Sequence, residues 1–128
     1  MEKEFIPYQQ ALALKELGFD EQCFATYRQW DGREPYLHLD TDIEADNFTI
    51  ECDSPLYQQA FRWFREKYSL YSHVRESYAF DNTLEFVTQI NGSYVNHGIE
   101  DKPINRFETY EEAELECLKK LIEIVKKK

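Results

Sequence analysis

Residues 83–95, TLEFVTQINGSYV, decide the fold class more than any other stretch of this chain. Apolar and polar residues alternate over 83–90, a pattern that predicts a strand with one buried face. Asn91-Gly92 is the dipeptide favoured by two-residue hairpin turns, because both central residues of such a turn need a positive φ. Tyr94-Val95 would then be the returning strand. The stretch therefore predicts an antiparallel hairpin.

A helix is predicted on each side of this hairpin. Upstream, Ser54-Pro55 has the form of an N-cap followed by proline, and predicts a helix over 55–68. Downstream, Thr109 and Glu112 form a capping box that begins a helix over 110–125. Residues 69–82 show no clear period and are expected to be mostly loop. The predicted buried residues are Leu56, Tyr57, Ala60, Phe61, Phe64 and Tyr68 in the first helix, and Tyr110, Ala113, Cys117, Leu118, Leu121, Ile122 and Val125 in the second.

The N-terminal part repeats the alternation of helix and hairpin. Pro7 begins a predicted helix over 7–17, and Gly18 ends it in a left-handed position, with Phe19 reaching back to Leu14 as in a Schellman motif. Residues 23–30 and 36–39 are predicted strands on either side of an Asp31-Gly32 turn. Residues 48–52 alternate as well and add a third short strand.

The predicted fold class is therefore α+β. Three helices are expected to pack on a short antiparallel sheet of about four strands, in the order α-ββ-α-ββ-α, within a single domain 1–128. One core is expected to join three faces. These are Leu37 and Leu39 on the second strand, with His38 on the opposite face, Tyr57, Phe61 and Phe64 on the middle helix, and Leu118, Ile122 and Val125 on the last helix.

Charge and composition narrow the range of partners. The net charge is −10, and residues 1–60 hold 13 acidic but only 4 basic side chains. Such a field disfavours nucleic acid and anionic membrane surfaces. No apolar run is long enough for a membrane span, and the polar start lacks the core of a secretory signal. Three widely spaced cysteines predict reduced thiols and a cytoplasmic location, although a Cys23–Cys52 bridge stays open as an alternative.

Motifs for metal, cofactor or catalysis are weak. Asp40, Asp42, Glu44 and Asp46 lie at alternate positions, but the stretch lacks the turn glycine of a calcium loop, so no metal site is predicted. No glycine-rich phosphate loop occurs, so no cofactor is expected. The histidines at 38, 73 and 97 match no ligand or nucleophile spacing, and no catalytic residue is assigned. A pair of His38 with Cys52 or Cys23 is the one hydrolase arrangement left open.

The middle helix offers a candidate binding face. Arg62, Arg65 and Lys67 form a basic island on an acidic chain, and Trp63 and Tyr68 accompany them. Trp63 falls at the border of the predicted apolar stripe and is expected to be partly exposed. Because Trp and Arg are the residues most enriched at interface centres, Trp63, Arg62, Arg65 and Tyr68 are the predicted binding residues. The alternative is a tryptophan that packs at the edge of the sheet.

Three segments, 5–19, 59–68 and 109–125, resemble small uncharacterised proteins encoded in Bacteroides-type genomes, often near prophages or other mobile elements. The resemblance covers the three predicted helices. It implies a bacterial or phage setting inside the cell. That family carries no assigned activity, so the resemblance transfers no catalytic or binding residue.

Three functions follow as hypotheses. The first is a non-catalytic binding or accessory protein with a protein partner or a second copy as its target. The second is an acidic mimic of nucleic acid that inhibits a DNA-binding protein, which would need its carboxylates in a continuous ridge. The third is a small hydrolase with a spatially assembled Cys or His site, which would need a deep pocket holding at least two titratable groups.

Overall fold

The computed structural model describes residues 2–30, 33–39, 48–98 and 105–127. The acidic stretch 40–46 lies outside them. The chain divides into two compact units, residues 1–60 and 61–128. The α+β class is confirmed, with three helices among the described residues. The single sheet of about four strands is wrong, because the strands form two separate three-stranded antiparallel sheets. The assignment of 1–128 as one domain stays a prediction.

In the first unit, a short 3-10 helix, Glu2–Glu4, precedes helix α1, Tyr8–Glu16. Strands β1, Ala25–Trp30, β2, Tyr36–Leu39, and β3, Phe48–Ser54, form a sheet in the order β2-β1-β3. Helix α1 packs against β3. The hydroxyl of Tyr27 donates to the Ile6 carbonyl at 2.8 Å, and the Ser54 hydroxyl donates to the same carbonyl at 3.1 Å. These bonds hold the segment before α1 against the sheet.

The predicted stop of α1 is confirmed in detail. Gly18 has φ 98°, its N–H donates to the Lys15 carbonyl at 3.1 Å, and the Phe19 N–H donates to the Leu14 carbonyl at 3.0 Å. These are the two hydrogen bonds of a Schellman motif. Phe19 is buried, in keeping with the apolar contact that often accompanies this motif.

The burial of side chains on the two faces of the first sheet differs from the prediction. The expected inward-facing Leu37 and Leu39 are only half-buried, whereas His38 is 5% exposed. His38 lies opposite Thr26 on β1, and Arg28 on the same face of β1 is buried too. The face expected to be solvated is therefore buried at these two positions. Alternation identifies which residues share a face, but not whether the second face is exposed to solvent.

Helix α2, Tyr57–Tyr68, contains the boundary between the two units. It begins later than predicted, because Ser54 belongs to β3 and its hydroxyl is bonded to Ile6 instead of capping the helix. At the other end, Ser69 takes a positive φ of 56° and the Leu70 N–H donates to the Phe64 carbonyl at 3.2 Å. The helix therefore stops at a left-handed residue as α1 does.

In the second unit, β4, Ser72–Tyr78, β5, Leu84–Ile90, and β6, Ser93–Tyr94, form a sheet in the order β4-β5-β6. The expectation that 69–82 is mostly loop is wrong, since β4 pairs with β5 along its whole length. The hairpin turn is confirmed by positive φ values at Asn91 and Gly92. The final helix α3, Tyr110–Lys126, packs on β4 and β5, and its N-cap bond from the Glu112 N–H to Thr109 Oγ1 is 3.1 Å.

The single core proposed from sequence spans both units. Leu37 and Leu39 belong to the first unit, and the apolar face of α3 belongs to the second. Their meeting in one core stays a prediction. Within the second unit, the core is formed by residues such as Phe64, Leu70, Val87, Ile90, Cys117, Leu118 and Leu121.

Candidate functional site

The β4–β5 connection is a tightly hydrogen-bonded turn that presents one aromatic side chain to solvent. The Ala79 N–H donates to the Thr83 carbonyl at 2.9 Å, and the Asn82 N–H donates to the Ala79 carbonyl at 2.9 Å. Asn82 takes φ 65°, and the Asp81 carboxylate accepts from the Thr83 N–H at 3.0 Å. Phe80 lies inside this turn and is fully exposed. The turn therefore fixes the backbone beneath an uncovered aromatic ring.

Two further apolar side chains flank Phe80. Tyr78 and Leu84 lie directly opposite each other at the end of the β4–β5 ladder, with exposed fractions of 61% and 43%. Directly opposite residues in an antiparallel pair share one face and lie within reach of each other. We call Tyr78, Phe80 and Leu84 the hairpin tip. It is an exposed apolar cluster carried by a short, bonded turn.

The position of α3 explains why the hairpin tip is uncovered. The helix begins beside Phe86, where the rings of Phe86 and Tyr110 meet edge to face with centroids 5.8 Å apart. Phe86 is the next residue after Leu84 on the same face of β5. The helix covers the sheet from this point toward Ser72, whose hydroxyl is bonded to Cys117. The strand ends that carry Tyr78 and Leu84 lie beyond the start of the helix.

The surroundings of the hairpin tip are acidic. Glu76 is exposed on the same face of β4 as Tyr78. Hydrogen bonds from Thr83 lower the pKa of the Asp81 carboxyl, so the turn carries a fixed negative charge at neutral pH. Glu111 and Glu112 are exposed in the first turn of α3. An apolar cluster bordered by carboxylates is matched by a partner that combines apolar and basic groups.

The side chain of Arg106 lies on the other face of this sheet. Arg106 Nη1 donates to Ser77 Oγ at 3.1 Å and lies 3.8 Å from the Glu85 carboxylate. Ser77 and Glu85 are themselves opposite each other across β4 and β5. The Arg106 charge therefore offsets Glu85 on that face and leaves Glu76 on the face of the hairpin tip.

The candidate binding face on α2 is only partly as expected. Arg62, Arg65 and Lys67 are exposed, but Trp63 is 5% exposed, so the expectation of a partly exposed tryptophan is wrong. Its ring packs edge to face with those of Phe64 and Tyr68, at centroid distances of 5.0 and 5.4 Å. Lys67 Nζ covers it from 5.1 Å. A binding role for Arg62, Trp63, Arg65 and Tyr68 stays a prediction, without an exposed indole to support it.

The helical register explains this difference. The sequence stripe was centred on Phe61 and Phe64, whereas the buried side of α2 runs through Ala60, Trp63 and Phe64, and Phe61 is only half-buried. Both stripes have spacings of three and four, so periodicity alone does not separate them. The alternative of a packed tryptophan therefore agrees with the burial.

Cys52 and Cys117 lack the environment of a nucleophile. Cys23, Cys52 and Cys117 are free and buried, so the alternative Cys23–Cys52 bridge is not formed. Burial raises the pKa of Cys52 to about 11 and that of Cys117 to about 12. Both thiols are therefore protonated at neutral pH, and a protonated thiol is a poor nucleophile.

The pairing of His38 with Cys52 is excluded by strand register. His38 lies opposite Thr26, whereas Cys52 lies opposite Tyr27, the next residue of β1. Successive residues of a strand point to opposite faces, so the imidazole and the thiol are on different sides of the sheet. Neither ring nitrogen of His38 has a hydrogen-bond partner among the described residues. The sequence did not indicate that this imidazole is buried.

A second histidine lies at a small polar cleft in the second unit. His97 Nε2 is 2.6 Å from Thr88 Oγ1. The cleft has a volume of about 160 Å³ and is also lined by Asn96, Gly98, Glu116, Lys119, Lys120 and Glu123. Burial lowers the pKa of His97, which favours the neutral imidazole. Because Thr88 is only 1% exposed, its hydroxyl is out of reach of a substrate, and the pair fastens the loop after β6 to β5.

Residues 2–30, 33–39, 48–98 and 105–127 contain no group of three or more His, Cys, Asp or Glu side chains placed to hold a metal ion. The acidic stretch 40–46 lies outside these ranges. Across the same ranges, none of the helices combines the length and hydropathy needed to cross a membrane.

Comparison with known proteins identifies no relative of this chain. No protein-family model, no curated protein and no solved structure matches the chain. The hairpin tip and its acidic border are therefore the features on which a functional assignment rests.

Proposed function

We propose that this chain is a non-catalytic binding protein that engages a protein partner through the hairpin tip. The observation that carries the proposal is the full exposure of Phe80 between Tyr78 and Leu84. Single exposed apolar side chains are ordinary on protein surfaces, but contiguous exposed clusters mark interaction sites. The bonded turn adds a second reason, because a preformed backbone loses little entropy when a partner binds.

The surrounding chemistry supports binding over catalysis. The thiols of Cys52 and Cys117 are buried and protonated, and His38 and Cys52 face opposite sides of their sheet. At the polar cleft, His97 is bonded to a hydroxyl that a substrate cannot reach. The hydrolase hypothesis therefore loses its His38–Cys52 pair, and the cleft at His97 places titratable groups together but no cysteine among them.

The nucleic-acid mimic receives no support from α3. From Glu116 onward its carboxylates are paired with lysines, Glu116 with Lys119 at 3.1 Å and Glu123 with Lys127 at 2.8 Å, so the acidic series of its first two turns does not continue along the helix. A mimic needs an uninterrupted series of negative charges, and these lysines interrupt it. The negative charge is thus better explained by binding to a basic protein surface than by imitation of a phosphate backbone.

We further infer an accessory role in a prophage or other mobile element, acting inside a bacterial cell. The support is the resemblance of the three helical segments and the reduced state of three free cysteines.

The test compares affinity capture by the full chain and by two surface variants. Phe80→Ser should abolish retention of a partner from a lysate of the source organism, and Glu66→Ala, on the exposed side of α2, should retain it. The captured protein is then purified and its affinity measured for each variant. Both substitutions replace exposed side chains, so thermal melts should agree within about 0.5 kcal/mol. Equal affinity of wild type and Phe80→Ser contradicts the proposal.

A further inference from the structure

Building on the binding role proposed above, we propose that the outer edge of β4 accepts an extended segment of the partner as an additional strand. The segment carries a basic side chain opposite Glu76, with apolar side chains opposite Val74 and Tyr78. This names both the geometry of the contact and the chemistry of the partner.

The first support is the position of β4 in its sheet. Among the described residues, the order β4-β5-β6 leaves β4 at the edge, bonded to β5 along seven residue pairs. The backbone N–H and C=O groups on its other side form a template for strand addition. A strand of this length provides several main-chain hydrogen bonds to a partner.

The second support is the side-chain pattern of the edge. Val74, Glu76 and Tyr78 share the face that continues into the hairpin tip, whereas His73, Arg75 and Ser77 share the other. Glu76 and Tyr78 are exposed, and Val74 is half-buried. A strand added here places its own side chains beside these at alternate positions. An apolar, a basic and an apolar side chain on the added strand would complement Val74, Glu76 and Tyr78 respectively.

Charge also distinguishes a foreign strand from a second copy. Two-fold antiparallel pairing of β4 with itself about Arg75 would place this guanidinium directly opposite its own copy, and like charges in that position are destabilising. The net charge of −10 opposes self-association further. Charged residues on an edge strand oppose pairing with most other strands. A strand that carries the opposite charge can pair with it, because the two charges attract each other.

The experiment uses the full chain and two synthetic seven-residue peptides. Both have threonine at the first, third, fifth and seventh positions and valine at the second and sixth. One has lysine at the centre and the other has glutamate. Binding is followed by NMR titration of the backbone amides of 72–78. The wild type should bind the lysine peptide at least about fivefold more tightly, with shifts concentrated in β4.

Charge exchange makes the test specific. Glu76→Lys should reverse the preference, so that the glutamate peptide binds more tightly. Glu66→Lys changes the net charge equally at an exposed position on α2 and should keep the preference for lysine. N-methylation of the peptide amides that face β4 should weaken binding by about tenfold or more, because it removes the main-chain donors.

Equal binding of both peptides, or a preference that Glu76→Lys does not reverse, overturns the inference. So does sedimentation of the wild type as a dimer that Glu76→Lys dissociates, since a second copy would then occupy the edge. If Phe80→Ser abolishes partner capture while the peptide preference is absent, strand addition is wrong and the binding function stands. If capture does not depend on Phe80, the proposed function is wrong.

Discussion

Thr88 Oγ1 and His97 Nε2 lie 2.6 Å apart, so a hydroxyl buried in β5 holds the imidazole of the loop that follows β6. The adjacent Val95 N–H donates to the Thr88 carbonyl at 3.0 Å. One threonine therefore fixes this loop through its side chain and its backbone. When the hydroxyl donates, Nε2 carries no proton and the ring is neutral; when the hydroxyl accepts from Nε2–H, it is burial that favours the neutral ring.

The first prediction concerns pH. Burial lowers the pKa of His97 in the folded chain below the ordinary value of about 6.5. The unfolded chain thus binds the proton more readily, and the free energy of unfolding should fall as pH decreases below about 6.5. Urea titrations between pH 7.5 and 5 should show this fall. His97→Gln should flatten the curve in that interval; an unchanged slope would contradict the assignment.

The charged neighbours of His97 provide an internal control. Glu116 raises the pKa of the imidazole and Lys120 lowers it, by less than burial does. In NMR titrations of the His97 ring, Glu116→Gln should therefore move the pKa further down and Lys120→Ala should move it up. Glu123 and Lys119 also line the cleft, and both substitutions leave them in place.

The second prediction tests the packing of Trp63. Because the indole is buried against Phe64 and Tyr68, Trp63→Ala should lower the free energy of unfolding by about 3–5 kcal/mol. Arg65→Glu on the exposed side of the same helix should change it by less than about 0.5 kcal/mol. Chemical denaturation measures both values. A loss below about 1 kcal/mol for Trp63→Ala would restore the interpretation of an exposed binding residue.

A third prediction concerns the stop of α1. Gly18 has φ 98°, a conformation that strains any residue with a Cβ atom. Gly18→Ala should lower the free energy of unfolding by about 1–2 kcal/mol. Lys15→Ala, which keeps the glycine but removes the Nζ donor to the Glu51 carbonyl, serves as a nearby comparison. A neutral Gly18→Ala would mean that the left-handed conformation at this position does not strain alanine.

A fourth prediction follows from the buried thiols. Cys52 and Cys117 have raised pKa values of about 11 and about 12 because of burial. Iodoacetamide at pH 8 should therefore label them slowly in the native chain and rapidly in denaturant. Mass spectrometry of each cysteine-containing peptide measures the two rates. Rapid native labelling of either thiol would revive a nucleophilic role for it.

The sequence predicts correctly the helix stop, the helix N-cap and the hairpin turn that depend only on residues close together in the chain. Gly18 and the Asn91-Gly92 turn act through their backbone conformation and Thr109 through its hydroxyl, each within a few residues, and the structure has all three as expected. Strand β4 was missed because an edge strand with Arg75 and Glu76 on its two faces has little apolar alternation. The division into two sheets depends on which strands pair, and the sequence pattern of each strand does not specify its partner.

The hairpin tip could have been found from a weaker signal. Asp81 and Asn82 are typical turn residues, and they follow Tyr78 and Phe80 and precede Leu84. A turn between two strands at that point would have placed these apolar residues at its end. Their exposure is a different matter, because it depends on where α3 begins relative to Phe86, a tertiary relationship.

The boundary between residues 60 and 61 lies inside a helix, so it is a poor place to cut the chain into two fragments. A cut there leaves Tyr57–Ala60 on one fragment and the rest of α2 on the other. A single helical turn is too short to persist alone, since nucleation fixes several residues before the hydrogen bonds that stabilise them form. Split or truncated versions of the chain should therefore be cut outside Tyr57–Tyr68, and on its N-terminal side if Phe64 is to stay with the core of the second unit.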